Sequence, residues 1–305
     1  MSVTQRLDVR KTYKLYIGGK FPRSESGRSY VVADTKGGFL ANASRASRKD
    51  ARDAVVAARA AFSGWAGTTA YNRGQILYRV AEVMEGRADQ FASEVAAGEG
   101  LRLPQARTVV AAAIDRWVWY AGWTDKLAQV VGGTNPVAGP YFDFSIPEPT
   151  GVVAVLAPQD SSLLGLVSVL APALAGGNVV VAVSSQHRPL PAITLAEAFA
   201  TSDVPGGVVN LLTGGAAEIG PWLAEHGDVN AIDLTGTLGA SDGDEAADTE
   251  LARDLEAKAA GTLKRVRRPP LSGMHGGSPD WAAEPGLSRM TAFLETKTVW
   301  HPIGV

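Results

Sequence analysis

Residues 151–157 read GVVAVLA and form an apolar run without a polar interruption. A short run of this kind is typical of a strand that is buried on both faces, as in parallel sheets covered by helices. The chain then alternates between helical and strand patterns. We predict helices at 161–175, 190–201 and 216–225, and strands at 179–183, 207–212 and 231–234. This alternation predicts an α/β fold with a doubly wound parallel sheet, in which ligands bind at the carboxyl ends of the strands.

A helical layer precedes this core. Ser47, followed three residues later by Asp50, predicts the N-cap of its first helix. Apolar residues recur at helical spacing in three segments, at 51–62, 71–85 and 105–125. We therefore predict three helices before the hairpin described next.

Two segments outside the core have the pattern of strands. Residues 137–149 alternate and end in prolines, which is typical of an edge or protruding hairpin. Residues 290–300 are β-prone and need a sheet to join, either their own or that of a partner. We divide the chain into a helical part at 1–136, a hairpin at 137–149, an α/β core at 150–266, a linker at 267–289 and a terminal strand at 290–305.

Composition limits the classes of function. The chain has 305 residues, 29 lysines and arginines against 31 acidic residues, and no cysteine. A net charge of −2 provides no field for nucleic acid or an anionic membrane. The absence of cysteine excludes thiolate metal sites and disulfides. The polar N-terminus lacks the apolar segment of a secretory signal, and prolines and glycines interrupt the most apolar stretch, 163–183. We expect a cytoplasmic protein without a membrane span.

Small or polar residues follow four of the predicted strands. They are Pro158-Gln159-Asp160, Ser184-Ser185-Gln186, Thr213-Gly214-Gly215 with Gly220 in the next helix, and Thr235-Gly236-Thr237. Glycine after a strand lets the backbone approach a phosphate, and the helix N-terminus that follows favours negative charge. None of these loops has the spacing of a dinucleotide fingerprint or of a Walker A motif. Spacing alone therefore leaves two interpretations, a nucleotide site or plain turns.

Several ordered motifs match a known family. They are Tyr120-Ala121-Gly122-Trp123, Glu148-Pro149 before Gly151-Val152-Val153, LAPALAGGN at 170–178, PGGVVN at 205–210, Thr213-Gly214 and Thr235-Gly236-Thr237. In this order they resemble the aldehyde dehydrogenase superfamily, from about Tyr13 to Val266. The resemblance implies a Rossmann-like domain for NAD or NADP and a separate catalytic domain. It also implies oxidation of aldehydes by a cysteine thiolate.

The chain departs from the family pattern at the residues of that chemistry. Where the family has Pro-Trp-Asn, whose amide holds the oxyanion, this chain has Pro158-Gln159-Asp160. Where the family has Lys-Pro-Ala-Glu, which holds the adenosine ribose, this chain has residues 183–186, VSSQ. The segment after Val266 reads RRPP in place of the family's glutamate segment, and too few residues follow for a catalytic domain. We therefore expect binding of NAD or NADP to be weak or absent.

We predict a vestigial cofactor site at the strand ends. Its residues are Pro158, Gln159, Asp160, Ser184, Gln186, Gly214, Gly220, Thr235, Gly236 and Thr237. The hairpin and the terminal strand resemble the family's oligomerisation elements. Their candidate contact residues are Tyr141, Phe142, Phe144, Phe293, Thr298 and Trp300.

The resemblance implies a pseudoenzyme subunit, similar to the degenerate second unit of tandem aldehyde dehydrogenases. We predict that it associates with a full-length aldehyde dehydrogenase or with a second copy of itself. Two alternatives stay open. One is an NAD(P)-dependent aldehyde oxidoreductase that is active in a complex, and the other is a nucleotide-binding sensor without chemistry.

Further predictions concern single residues. We expect Asp160 to cap the helix that follows it, and Asp233, inside a buried strand, to have a partner. The basic run at 264–268 is expected at a solvated helix end. Three tryptophans are expected to pack against the sheet, namely Trp117, Trp119 and Trp123.

Overall fold

A computed structural model describes residues 11–269 and 279–304. These residues form three sheets and the helices that cover them. The elements are, in chain order, β1 Thr12–Tyr13, β2 Ser29–Ala33, β3 Phe39–Ser44, α1 Arg48–Gly67, α2 Ala70–Glu85, α3 Ala88–Glu99, α4 Leu103–Ala121, α5 Leu127–Val131, β4 Gly133–Asn135, β5 Tyr141–Pro149, β6 Val152–Leu156, α6 Leu164–Ala175, β7 Val179–Val183, α7 Leu190–Phe199, β8 Val209–Leu212, α8 Ala216–Glu225, β9 Ala231–Asp233, α9 Glu245–Ala260, β10 Arg265–Arg267, α10 Ser288–Thr291 and β11 Leu294–Pro302. A short 3₁₀ turn, Thr235–Thr237, follows β9.

The central sheet has five parallel strands in the order β10-β9-β6-β7-β8. Every residue of β6 and β7 is buried, because α1, α6, α7 and α8 pack against the sheet. Continuous burial explains why these strands are apolar at every position rather than at alternate ones. The predicted α/β fold with a parallel sheet is confirmed.

The helical layer begins as the sequence predicts. Ser47 Oγ accepts a hydrogen bond from the Asp50 N–H at 3.3 Å, and Asp50 Oδ2 accepts one from the Ser47 N–H at 2.8 Å. This capping box sets the start of α1. Trp117 of α4 is fully buried against Phe199 of α7, with ring centroids 5.7 Å apart, so it packs between helices and not against the sheet as expected. Helix α3 was not predicted, and its N-cap residue, Arg87, is not one of the residue types that mark a helix start in a sequence.

The terminal sheet consists of β11, β5 and β4 in that order. Strand β11 pairs with β5 along its whole length, from Leu294 opposite Pro149 to Pro302 opposite Tyr141. The terminal strand thus joins a sheet of its own chain. The hairpin starts earlier than predicted, because its first strand is β4 and residues 136–140 form its loop. The terminal segment also begins with a helical turn, α10, rather than a strand.

Three other predictions were wrong in position. Asp160 is exposed and does not cap α6, which begins at Leu164, because Ser161 Oγ accepts the Gly165 N–H instead. The basic run does not end a helix, since α9 ends at Ala260 and 265–267 join the sheet as β10. The predicted linker therefore starts inside a strand, and its part at 270–278 lies outside the described residues.

Of the helices within 11–269 and 279–304, none combines the length and the apolarity required to cross a bilayer.

Candidate functional site

The carboxyl ends of β6, β7, β8 and β9 meet along one edge of the central sheet, where the sequence placed its candidate loops. The chain runs outward from β6 to β7 and β8, and then crosses back to β9 on the other side of β6. The strand order therefore reverses between β6 and β9. In doubly wound sheets this reversal opens the crevice in which ligands bind.

The loop after β6 closes on its own chain. Gln159 is buried, and its Nε2 donates to the Ala157 carbonyl oxygen at 2.8 Å. Its Oε1 accepts the Gln186 N–H at 3.0 Å, which ties this loop to the loop after β7. Asp160 contributes its backbone carbonyl, which accepts from Arg188 Nη1 at 2.7 Å. The amide of Gln159 is therefore committed to the protein backbone.

The 3₁₀ turn after β9 packs closely against the end of β6. Gly236 lies so close to β6 that a Cβ atom on it would be 2.1 Å from the Ala157 carbonyl oxygen, so only glycine fits. The two threonines beside it are buried and satisfied internally. Thr235 Oγ1 donates to Asp233 Oδ1 at 2.5 Å, and Thr237 Oγ1 donates to the Leu234 carbonyl at 2.9 Å.

An acidic loop follows, and we call residues 239–248 the acidic loop. Asp248 accepts the N–H groups of Gly239 and Ser241 at 2.5 and 2.8 Å. Asp244 caps α9 by accepting the N–H groups of Ala246 and Ala247. Backbone N–H groups at such turns and helix starts are the donors that bind phosphates in other α/β proteins. In this chain, aspartate side chains accept from them.

The other candidate residues of the site are packing and turn residues. Ser184 is buried, and its hydroxyl reaches the Ser185 carbonyl at 3.4 Å. Gly214 has a φ of +137° at the turn before α8. Gly220 lies inside α8, where Leu255 of α9 packs 3.2 Å from the position of its missing Cβ. Gln186 is half-buried, and a hollow of about 390 Å³ lies between it and β2.

Asp233, the buried acid of β9, has the partner that the sequence predicted. Its Oδ2 lies 2.9 Å from Arg289 Nη1 and 3.9 Å from Arg267 Nε. Arg289 is 56 residues away along the chain, so no local pattern could have named it. Burial is the main cause that lowers the pKa of Arg267, with the nearby Arg289 second.

The sequence profile of the aldehyde dehydrogenase family matches residues 21–258. The chain belongs to the aldehyde dehydrogenase family. It is 34% identical to the cytosolic 10-formyltetrahydrofolate dehydrogenase of Mus musculus over 241 residues, which are 76% of this chain and 26% of that protein. It is 32% identical to a putative aldehyde dehydrogenase of Bacillus subtilis over 272 residues, which are 87% of this chain and 52% of that protein.

Solved structures of the aldehyde dehydrogenase family are similar as well. HpcC from Thermus thermophilus matches with a TM-score of 0.77 at 31% identity, over 84% of this chain and 47% of that one. The NAD⁺ complex of a Bacillus cereus aldehyde dehydrogenase matches with a TM-score of 0.76 at 27% identity, over 84% and 50%. The chain thus spans between about a quarter and about a half of the length of these family members.

In this aldehyde dehydrogenase family chain, the buried polar side-chain atoms of the strand ends are paired within the protein. A prepared binding site leaves buried donors or acceptors for the ligand to satisfy. Within the described residues, the buried side-chain nitrogen and oxygen atoms without a partner include none from 158–160, 184–186, 213–215 or 235–237. In the same part of the chain, no cluster of three or more histidines and acidic residues is placed to hold a metal.

The terminal sheet has large exposed side chains. Tyr141, Phe142 and Trp300 are 42%, 48% and 58% exposed. Tyr141 packs edge-on against Trp300 with centroids 5.7 Å apart, and Phe142 stacks at a tilt on Phe144. Thr298 Oγ1 lies 2.9 Å from Ser145 Oγ. Phe293 differs from these residues, because it is buried in the core and only its carbonyl serves the sheet junction.

Proposed function

We propose that this chain is an aldehyde-dehydrogenase-like pseudoenzyme subunit that associates with a full-length member of the family. The exposed terminal sheet carries the proposal. Lone exposed aromatic residues are common in proteins, whereas a protruding sheet with a long open edge is a recognised site of strand pairing between chains. A cytoplasmic location belongs to the same proposal, and the Mus musculus relative is named as cytosolic.

The proposed lack of catalytic activity rests on the residues that occupy the family's catalytic positions. The family's nucleophile is a cysteine, and these 305 residues contain none. The position of the family's oxyanion-holding amide is taken by Asp160, whose carboxylate would repel a developing negative charge. The segment after Val266 contains the glutamate in the family. In this chain it begins with Arg267, the last residue of β10, and continues as Arg268-Pro269. No side chain at the strand ends replaces these groups.

Weak or absent binding of NAD and NADP is part of the proposal, because the residues at the strand ends do not fit a dinucleotide. The backbone donors of the acidic loop already bind Asp248 and Asp244. A phosphate would have to displace a carboxylate and would then be repelled by it. Val183 offers no cation to the ribose, and the nearby Gln159 amide is engaged.

The open edge of β11 is defined by its hydrogen bonds. Residues of an antiparallel strand alternate between those that bond to the neighbour and those that face away. Ile303 N donates to Pro140 O, and Thr150 N donates to Phe293 O, so the odd-numbered residues of β11 bond to β5. Thr296, Thr298 and Trp300 therefore direct their N–H groups outward. Among the described residues, no strand pairs with that side.

One face of the sheet adds an apolar surface beside that edge. By alternation, Phe142, Phe144 and Ile146 of β5 share this face with Val299 of β11. All four are exposed or only half-buried. Strand addition along β11 with this face covered would give a partner both main-chain bonds and aromatic contacts, which are the usual anchors of interfaces.

The test is association with a purified full-length aldehyde dehydrogenase from the same organism, measured by native mass spectrometry and sedimentation velocity. We expect a stoichiometric complex that Thr298→Pro disrupts, because proline removes an outward N–H without touching the ladder to β5. Thr298→Val is the matched control, since it loses the same hydroxyl and keeps the N–H. A complex with a second copy alone would support the homo-oligomer instead. A chain that stays monomeric in both mixtures would contradict the proposal.

A further inference from the structure

A cluster of arginines lies near the carboxyl ends of β9 and β10. It consists of Arg116 of α4, Arg267 of β10 and Arg289 of α10, and it contains one buried carboxylate, Asp233. Asp233 approaches two of these three guanidinium groups. The cluster therefore holds more positive charge than its single carboxylate neutralises.

Main-chain carbonyls accept hydrogen bonds from one of the three arginines, Arg116. Arg116 donates to Ser168 Oγ and to the carbonyls of Trp281 and Ala283, each at 2.9 Å. Arg289 reaches Asp233 at 2.9 Å and lies 5.3 Å from the ring centre of Trp281. Carbonyl oxygens satisfy hydrogen bonds but leave the charge of a guanidinium in place. The positive excess therefore persists although Arg116 is nearly buried.

Two buried donors of this cluster have no hydrogen-bond partner, Arg267 Nε and Trp281 Nε1. Arg267 Nε lies 3.9 Å from Asp233, which is an ion-pair distance but too long for a hydrogen bond. Both side chains lie near Arg289. Arg267 and Arg289 share the carboxylate of Asp233, and the ring of Trp281 lies beside the Arg289 guanidinium. Unsatisfied buried donors beside excess positive charge are the features that an oxyanion would satisfy together.

A shallow hollow of about 560 Å³ gives access to Arg267. The two arginines beside it already have carboxylate partners, since Arg265 pairs with Glu295 and Arg268 with Glu256. The hollow runs along the edge strand β10, all three residues of which line it together with Arg268 and Ala292.

We infer that this arginine cluster binds a small oxyanion, either a phosphate or a carboxylate. Its oxygens would accept from Arg267 Nε and Trp281 Nε1 and would neutralise the excess charge. The whole chain carries a net charge of −2, so anion binding here would be local rather than a general property of the surface. This inference is independent of whether the chain associates with another subunit.

The test is calorimetric titration of the full chain with sodium phosphate and with sodium succinate, at an ionic strength held constant with sodium chloride. We expect saturable binding of at least one of them at one site. Arg267→Gln should weaken it roughly tenfold or more, as expected for loss of a charge-assisted hydrogen bond. Binding of phosphate alone or of succinate alone would identify the chemical type, and either would support the site.

Two further variants keep the test decisive if Arg267→Gln is poorly folded. Trp281→Phe keeps the ring and removes only the orphaned donor, and we expect a roughly threefold loss of affinity. Arg253→Gln removes an exposed guanidinium that pairs with Glu250, and affinity should not change. Binding that is absent, unsaturable, or equal in Trp281→Phe and the unchanged chain would overturn the assignment.

Discussion

The strand ends of the central sheet and the terminal sheet use their polar groups in opposite ways. At the strand ends, Gln159, Thr235 and Asp248 all satisfy groups of their own chain, and Gly236 packs against the end of β6. In the terminal sheet, β11 leaves outward N–H groups and large aromatic side chains exposed. The comparison teaches that two edges of one fold can differ in whether their polar groups are paired within the chain or left open. Four changes would break or sharpen this contrast.

The largest effect is expected at Gly236. Gly236→Ala places a Cβ atom 2.1 Å from the Ala157 carbonyl, so β9 must move away from β6. We expect a loss of about 3 kcal/mol in the free energy of unfolding, measured in urea, since backbone offers little room to relax. Gly64→Ala is the control, because nothing lies within 4 Å of its added Cβ in helix α1. Its stability should rise by about 0.5–1 kcal/mol.

The next effect concerns the acidic loop. Asp248→Ala removes the acceptor of the Gly239 and Ser241 N–H groups, and the free energy of unfolding should fall by about 2 kcal/mol. The freed donors should also add a second site for inorganic phosphate, detected as a larger phosphate-dependent rise in Tm than that of the unchanged chain. Asp254→Ala, which removes an exposed acid of α9 that pairs with Lys258, should match the unchanged chain in both measurements. Tight NAD binding by the unchanged chain would contradict the closed strand ends.

A smaller effect is expected from a variant that weakens association without lowering the stability of the monomer. Phe142→Ser is expected to weaken association roughly tenfold, because interface aromatics are frequent anchors. The free energy of unfolding of the monomer should change by less than about 0.5 kcal/mol, since surface substitutions rarely do more. Tyr78→Ser is the matched control, as Tyr78 of α2 and Phe142 are both 48% exposed. Equal effects of the two variants on sedimentation would remove the terminal sheet from the interface.

The smallest effect is a pH dependence of stability at the buried side chain of Glu94. Burial raises the pKa of Glu94, whose Oε1 accepts from Tyr13 and Thr194 at 2.8 Å each. A raised pKa means that the folded state binds the proton more tightly. As the pH falls through the folded pKa toward the unfolded value near 4.5, unfolding of the unchanged chain should therefore become harder relative to Glu94→Gln. A constant difference between the two across this range would show that Glu94 does not titrate there.

Much of the fold could be predicted from the sequence, because its strongest signals are local. Strands such as β6 and β7 are continuous apolar runs, and the start of α1 is set by two residues three positions apart. Strand β10 could not be predicted, since three residues with two arginines form a strand only because β9 lies beside them. The local pattern at β10 is that of any basic loop.

The candidate site was harder to predict, because its properties depend on distant pairs. The sequence named Gln159 and Gln186 but could not show that the side chain of one binds the backbone of the other, 27 residues along. Asp248 was part of a recognisably acidic stretch, yet its role depends on a turn that brings Gly239 back to it. Arg267, Trp281 and Arg289 lie in or beside a stretch that looked like a plain linker.

The prolines of β5 have a consequence for the size of any assembly. Pro147 and Pro149 occupy positions of β5 that face away from β11, beyond the end of the short strand β4, and they have no N–H to offer. The other edge of the sheet is the three-residue strand β4, flanked by these prolines, so a long strand can be added on the β11 side alone. A molecule with one open strand edge can pair with only one other chain through it. Strand addition therefore ends in a dimer and does not propagate into a fibre.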